Sequence, residues 1–200
     1  SLCLRWERNP GCWRDCRSRR IIFCWKSNKG EELCSLLFLL AKINFISAGS
    51  VSFNYALNGD ELTVEEGSTA IPEFAFRQNN LFLTVVLPTT LETIGRFAFD
   101  ETSLTEVSLP DSLITIEQGA FRQSDLTELV VPDSVVSIGA SAFDNTDLAA
   151  VRLPESLTSI GDYAFYNTPL TQVIIPESVQ ALGRGAFAAT KIESVVVPAS

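Results

Sequence analysis

Along most of this chain the apolar positions return on a fixed beat. From Leu104 onward they read LTEVSLPDSLITIEQGAFRQSD, LTELVVPDSVVSIGASAFDNTD, LAAVRLPESLTSIGDYAFYNTP, LTQVIIPESVQALGRGAFAATK and a partial IESVVVPAS. Pro88, Pro110, Pro132, Pro154, Pro176 and Pro198 are spaced by 22 residues, and so are Phe99, Phe121, Phe143, Phe165 and Phe187. A less regular copy, IPEFAFRQNN, aligns Ile71, Ala75 and Phe76 with Ile94, Ala98 and Phe99 at a spacing of 23. A period of this length marks a chain of stacked repeats.

Within each unit, L-x-x-V-x-[LV] alternates as a half-buried strand does, turning Val107 and Leu109 to one face and Glu106 and Ser108 to the other. Pro110 ends that strand, because it fixes φ and cannot donate to a ladder, and Asp111 and Ser112 continue as a turn. Leu113 and Ile116, followed in most units by a glycine (Gly95, Gly139, Gly161, Gly183), predict a second brief strand and another bend. The segment ending in Ala-Phe predicts a short helical or irregular turn that drops Phe121 inward. Burying an apolar side chain contributes about 1.5–3 kcal/mol, whereas ordering each residue costs about 1–2 kcal/mol. With seven apolar positions among 22, one unit cannot fold alone. Stacking puts Leu104, Leu126, Leu148 and Leu170 in one column and the phenylalanines in another, so stability comes from neighbour interfaces. The expected fold is therefore a repeat solenoid, mainly β with short helical turns and a parallel sheet running along the array.

These units resemble the BspA-like leucine-rich repeat, whose consensus runs approximately L-x-x-V-x-I-P-x-x-V-x-x-I-G-x-x-A-F, over about residues 69–198. FNYALNGDELTV at 53–64 is similar to the hairpin-like caps that precede such arrays. The resemblance implies an N-terminal cap over 51–68, a leucine-rich repeat array over 69–200 that is truncated at its C-terminus, and an adhesion-like role. In one column this chain carries Thr102, Ser124, Thr146, Thr168 and Thr190 where the family often has cysteine. Those hydroxyls are expected to hydrogen-bond the turn backbone.

The first fifty residues have a different character. They carry nine Lys/Arg against four Asp/Glu, a net +5, while residues 51–200 carry six against twenty, a net −14. All five cysteines (Cys3, Cys12, Cys16, Cys24, Cys34) and all three tryptophans lie among the first 34 residues. The cysteine spacing is not that of a zinc ribbon, and there is no histidine to complete a mixed site. Residues 1–32 read as a basic Cys/Trp-containing extension, disordered or non-native. The apolar run LCSLLFLLA, with Ile46-Ser47-Ala48 behind it, makes 33–50 either a signal peptide or a buried cap. It is too short to span a bilayer, which takes about 20 apolar residues.

The same numbers limit the chemistry. Without histidine the Ser/His/Asp and Cys/His nucleophile systems are excluded. Asp111, Asp133, Glu155 and Glu177 recur at one turn position, so they are expected to form a solvated row of like environments, unsuited to dividing acid and base roles. An acidic array also repels phosphate backbones, which argues against nucleic acid as a partner. No catalytic residue, cofactor or metal is expected.

The outward face of the long strands is left as the candidate surface. Val86, Val130, Ile174 and Val196 place apolar side chains where solvent is expected, rimmed by Glu106, Ser108, Glu128, Arg152 and Gln172. Such a patch marks an interaction site, although β-branched residues also favour strands wherever they point. The reading is a secreted or cell-surface module that binds a protein or glycan without catalysis. Its rival is a structural spacer of a larger protein with no ligand of its own. Self-association through an uncapped C-terminal edge is expected of either.

Overall fold

The computed structural model describes residues 53–196, with side chains from Tyr55 to Ser194, and otherwise only the backbones of four short strands. The readings of 1–32 as an extension and of 33–50 as signal peptide or cap fall on residues that lie largely outside this set. Strands β1 (Leu4–Trp6), β2 (Cys12–Asp15) and β3 (Ile21–Cys24) form an antiparallel sheet within a first unit, Ser1–Phe38.

The second unit, Leu39–Ser200, begins with β4 (Ile43–Phe45), which pairs antiparallel with β5 (Phe53–Asn58). A two-residue turn at Gly59-Asp60 returns the chain as β6 (Glu61–Val64), antiparallel to β5. Each coil that follows supplies a short strand and a long one. These are β7 (Ala70–Ile71) and β8 (Thr84–Val86), β9 (Thr93–Ile94) and β10 (Glu106–Val107), β11 (Thr115–Ile116) and β12 (Glu128–Val130). Then come β13 (Ser137–Ile138) and β14 (Ala150–Arg152), β15 (Ser159–Ile160) and β16 (Gln172–Ile174), β17 (Ala181–Leu182) and β18 (Ser194–Val196).

The short strands make one parallel six-stranded sheet in which Ile71, Ile94, Ile116, Ile138, Ile160 and Leu182 stand side by side. The long strands pair in parallel as β6-β8-β10, β12-β14 and β16-β18. Between the two walls lies the core. Leu104, Leu126, Leu148 and Leu170 are wholly buried in one file, and Phe99, Phe121, Phe143 and Phe165 in another. Neighbouring rings of the phenylalanine file, from Phe99 through Phe187, stand 5.2–5.4 Å apart and within 12° of parallel. Phe76 of the irregular first copy joins the same file at 5.2 Å from Phe99. The repeat solenoid expected from the sequence is the fold.

The third side of each coil differs from one expectation. It is an irregular turn, and no helix forms among the described residues. Two residues per coil have left-handed backbone: Phe97 and Glu101, Gly119 and Gln123, Ser141 and Asn145, Tyr163 and Asn167, Gly185 and Ala189. A left-handed residue cannot continue a right-handed helix. What this geometry gains is a third ladder. The N–H groups of Ser141, Phe143 and Asn145 donate to the carbonyls of Asp162, Ala164 and Tyr166 one coil on, at 2.8–2.9 Å. The N–H groups between them close local turns, Ala142 on Gly139 and Asp144 on Ser141.

Hydroxyls fasten the corners. In Pro-[Asp/Glu]-Ser, the serine Oγ of Ser112, Ser134, Ser156 and Ser178 donates to the carbonyl of Leu91, Leu113, Val135 and Leu157 on the preceding coil, at 2.6–2.9 Å. Thr102, Ser124, Thr146, Thr168 and Thr190 donate to the carbonyl of the phenylalanine three residues earlier, at 2.8–3.0 Å, as expected of that column. Glycine after the short strand has a steric cause. A Cβ at Gly161 would stand 2.4 Å from the backbone nitrogen of Ala140.

Candidate functional site

The long strands carry the surface read from the sequence, and alternation decides what it exposes. Val85, Leu129 and Val173 point inward and are buried, so their neighbours Val86, Val130 and Ile174 point out, with 46%, 62% and 63% of their surface accessible. Glu106, Ser108, Glu128, Arg152 and Gln172 are exposed beside them, whereas the side chain of Val196 is outside the described residues. Parallel register sorts these into two rows. Thr84 and Glu106 are paired, as are Glu128 and Ala150, and Gln172 and Ser194. The second row pairs Val130 with Arg152 and Ile174 with Val196. The apolar side chains are thus not continuous. Ser108 separates Val86 from Val130, and Arg152 separates Val130 from Ile174.

Asp111, Asp133, Glu155 and Glu177 are all exposed, one per coil, at the corner that follows this second row. Arg152 reaches Asp133 at 3.8 Å, with 69% and 77% of the two side chains accessible, so the pair contributes little to stability. The sheet face therefore has an acidic margin.

A stronger charge cluster lies on the turn side, where sequence reasoning did not look. Asp100 is wholly buried and is held by Arg77 Nε and Arg122 Nε, each at 2.8 Å, from the coils before and after it. Glu101 accepts from the same two guanidiniums at 3.5 and 3.4 Å and from the Gln78 amide at 2.8 Å. That amide, with Arg77 and Arg122 adding to it against the cost of desolvation, holds the Glu101 carboxyl below its usual range. Arg77 lies over the Phe74 ring and Arg122 over the Phe97 ring, at 5.7 and 5.9 Å, and the two rings stack at 5.5 Å. The signal was present in the sequence as alternating charge down one column: Arg77, Asp100, Arg122, Asp144.

The concavities are shallow. One, of about 330 Å³, runs along the short-strand sheet past Arg96, Thr115, Ser137 and Ser159. Another, of about 460 Å³, is lined by Gln78, Asn80, Glu101, Ser103, Gln123 and Asp125. Among the described residues, no group of three or more metal-ligating side chains is placed to hold an ion, and no helix is long and apolar enough to cross a membrane.

A stack of short parallel strands, with leucine and phenylalanine files inside and an exposed strand face, defines a leucine-rich repeat protein. The BspA type leucine rich repeat region matches residues 33–126 and 114–200 in six copies, and the chain belongs to that family. Among solved structures it is similar to the pneumococcal vaccine antigen PcpA, at 21% identity and a TM-score of 0.60 over 75% of this chain and 49% of that one. It is also similar to a leucine-rich cell surface protein from Faecalibacterium prausnitzii A2-165, at 20% identity and a TM-score of 0.48 over 77% of this chain and 56% of that one. A third is the leucine-rich repeat protein of T. pallidum, at 24% identity and a TM-score of 0.44, covering 68% and 86% of the two chains. This chain spans about half the length of the pneumococcal protein it matches. No curated protein sequence matches it.

Proposed function

We propose that this protein is a non-enzymatic binding module, secreted or displayed at the cell surface, which holds a protein ligand against the outward face of its long strands. The observation that carries this reading is the exposure of Val86, Val130 and Ile174 at 46–63% on the outward face of the long strands. Each such side chain has a polar neighbour one strand away, so a partner gains both apolar contact and hydrogen bonds. Fixed backbone on three ladders means that little ordering is needed on binding, which favours affinity. Membership of the BspA-type family and the apolar run at 33–41 support export.

The test is a double substitution, Val130→Lys with Ile174→Lys. Both side chains are solvated, so the melting temperature should stay within a few degrees of the parent. Affinity for a captured ligand should fall by at least about a hundredfold, as expected when two central apolar contacts become desolvated charges. Undiminished binding would exclude this face. A chain that loses no function with any soluble replacement there would instead be a structural spacer.

A further inference from the structure

In one place the array pairs a guanidinium with an aromatic ring and a carboxylate, and farther along the same column a carboxylate recurs without a following arginine. At the first of these, Arg122 lies over the Phe97 ring at 5.9 Å and bonds Asp100 of the preceding coil at 2.8 Å, while Arg77 approaches the same carboxylate from the other side. Down that column the order is Arg77, Asp100, Arg122, Asp144, Tyr166, Ala188. Alternation of charge therefore stops at Asp144, and the place where a third arginine would stand is taken by Tyr166.

Three features of this second position depart from its neighbours. Asp144 is half-buried, and its close donors, Asn145 at 2.5 Å and the Ser141 hydroxyl, are neutral. Arg122 supplies charge from one side only, and desolvation raises the Asp144 carboxyl above its usual range. Tyr163 and Tyr166 are each 37% exposed and meet edge to face, with ring centroids 5.7 Å apart, at the coil adjoining Asp144. That adjacency is fixed by backbone, since the Asn145 N–H donates to the Tyr166 carbonyl at 2.9 Å. Tyr163 holds a left-handed φ of 56°, as Phe74, Phe97, Gly119, Ser141 and Gly185 of the same column also do. A bulky residue in this region is strained. The Tyr163 ring packs over Gly185, where an added Cβ would stand 2.8 Å from it.

We propose that Tyr163, Tyr166 and Asp144 form a receptor for a guanidinium group, the arginine side chain of a partner polypeptide. A half-exposed tyrosine pair one coil along from a carboxylate whose close hydrogen-bond donors are neutral matches a planar cation, which stacks on a ring while donating to oxygen. The molecule performs this recognition on itself with Arg122, Phe97 and Asp100. The surface lies on the turn side of the coils, so the inference is independent of the strand face.

The experiment follows the tyrosine ring signals of the full chain by NMR while N-acetylarginine amide is added, with N-acetyllysine amide and N-acetylcitrulline amide as comparisons. Saturable shifts at Tyr163 and Tyr166 are expected for arginine, weaker for lysine and absent for citrulline. Asp144→Asn should weaken arginine binding at least about tenfold, because the ion pair is lost. Tyr166→Arg should place an internal guanidinium on Asp144 as Arg122 does on Asp100, raising the melting temperature and abolishing binding. Equal response to citrulline, or binding unchanged in Asp144→Asn or in a folded Tyr166→Arg, would overturn the proposal. A short, otherwise uncharged peptide carrying one arginine should bind at least as well as the blocked amino acid. Binding by N-acetylarginine amide but not by the peptide would overturn the assignment to a partner polypeptide.

Discussion

Thr146 donates its hydroxyl to the Phe143 carbonyl at 3.0 Å, inside a coil where no water competes. Replacing it by valine keeps the shape and removes the donor, and should cost about 1–3 kcal/mol, measured by denaturant unfolding. Asp100 sits under the same rule with charge added. Its neighbour Glu101 has a lowered carboxyl value, so the stability it contributes is present above the ordinary carboxylate range and is lost as pH falls through that lowered value. Asp144 has the opposite sign. Its value is raised, so its contribution is greatest when it is protonated and disappears as pH rises through the raised value. Melting temperatures recorded across the acid range should show a flatter acid loss for Glu101→Gln, and no Asp144 component for Asp144→Asn. At this scale the hydroxyl column and the exposed carboxylates of the corner were legible, because each recurs in every unit. The Arg77, Asp100 and Arg122 cluster was not, since its column changes residue at each coil and repeat logic averages over it. The interruption of the apolar row by Ser108 and Arg152 stood in the sequence too, but only parallel register turns the list of residues into a spatial order.

From β7 onward the elements are strands of two or three residues, too short to persist alone. What fixes them is the corner at either end. Pro110 opens the corner after β10, Ser112 ties the turn to Leu91, and Ile116 re-enters the core in line with Ile94 and Ile138. Close approach behind the short strand leaves no room for a side chain at Gly161. Gly161→Ala should therefore destabilise by about 1–3 kcal/mol through overpacking against the backbone of the preceding coil, which thermal unfolding would detect. Both strands and the proline corner were predictable from alternation and residue chemistry. The turn was only half so. Nothing in Ala-Phe distinguishes one helical turn from a bend with two left-handed residues, and occupants such as Phe97, Ser141 and Tyr163 are not residues that favour positive φ.

For the whole molecule, stability should grow with the number of coils, because each buries its apolar side chains only against the next. Removal of residues 126–147, one period, is expected to leave a folded chain with a lower melting temperature. Removal of 126–136 should abolish cooperative unfolding, since it shifts every file out of register. The end coil offers a further expectation. Leu182 is 53% exposed, whereas Ile116, Ile138 and Ile160 in its file are at most 2% exposed. These 200 residues on their own should associate as concentration rises, and a monomer by sedimentation at high concentration would count against that. The central claim is that like side chains meet their copies one coil along. Ring-to-ring nuclear Overhauser effects test it most directly in a chain whose phenylalanines are selectively labelled. Contacts linking Phe99 to Phe121, Phe121 to Phe143, Phe143 to Phe165 and Phe165 to Phe187, with none that skips a member, are the expected result. Isolated rings, or a direct contact between Phe121 and Phe165, would contradict it.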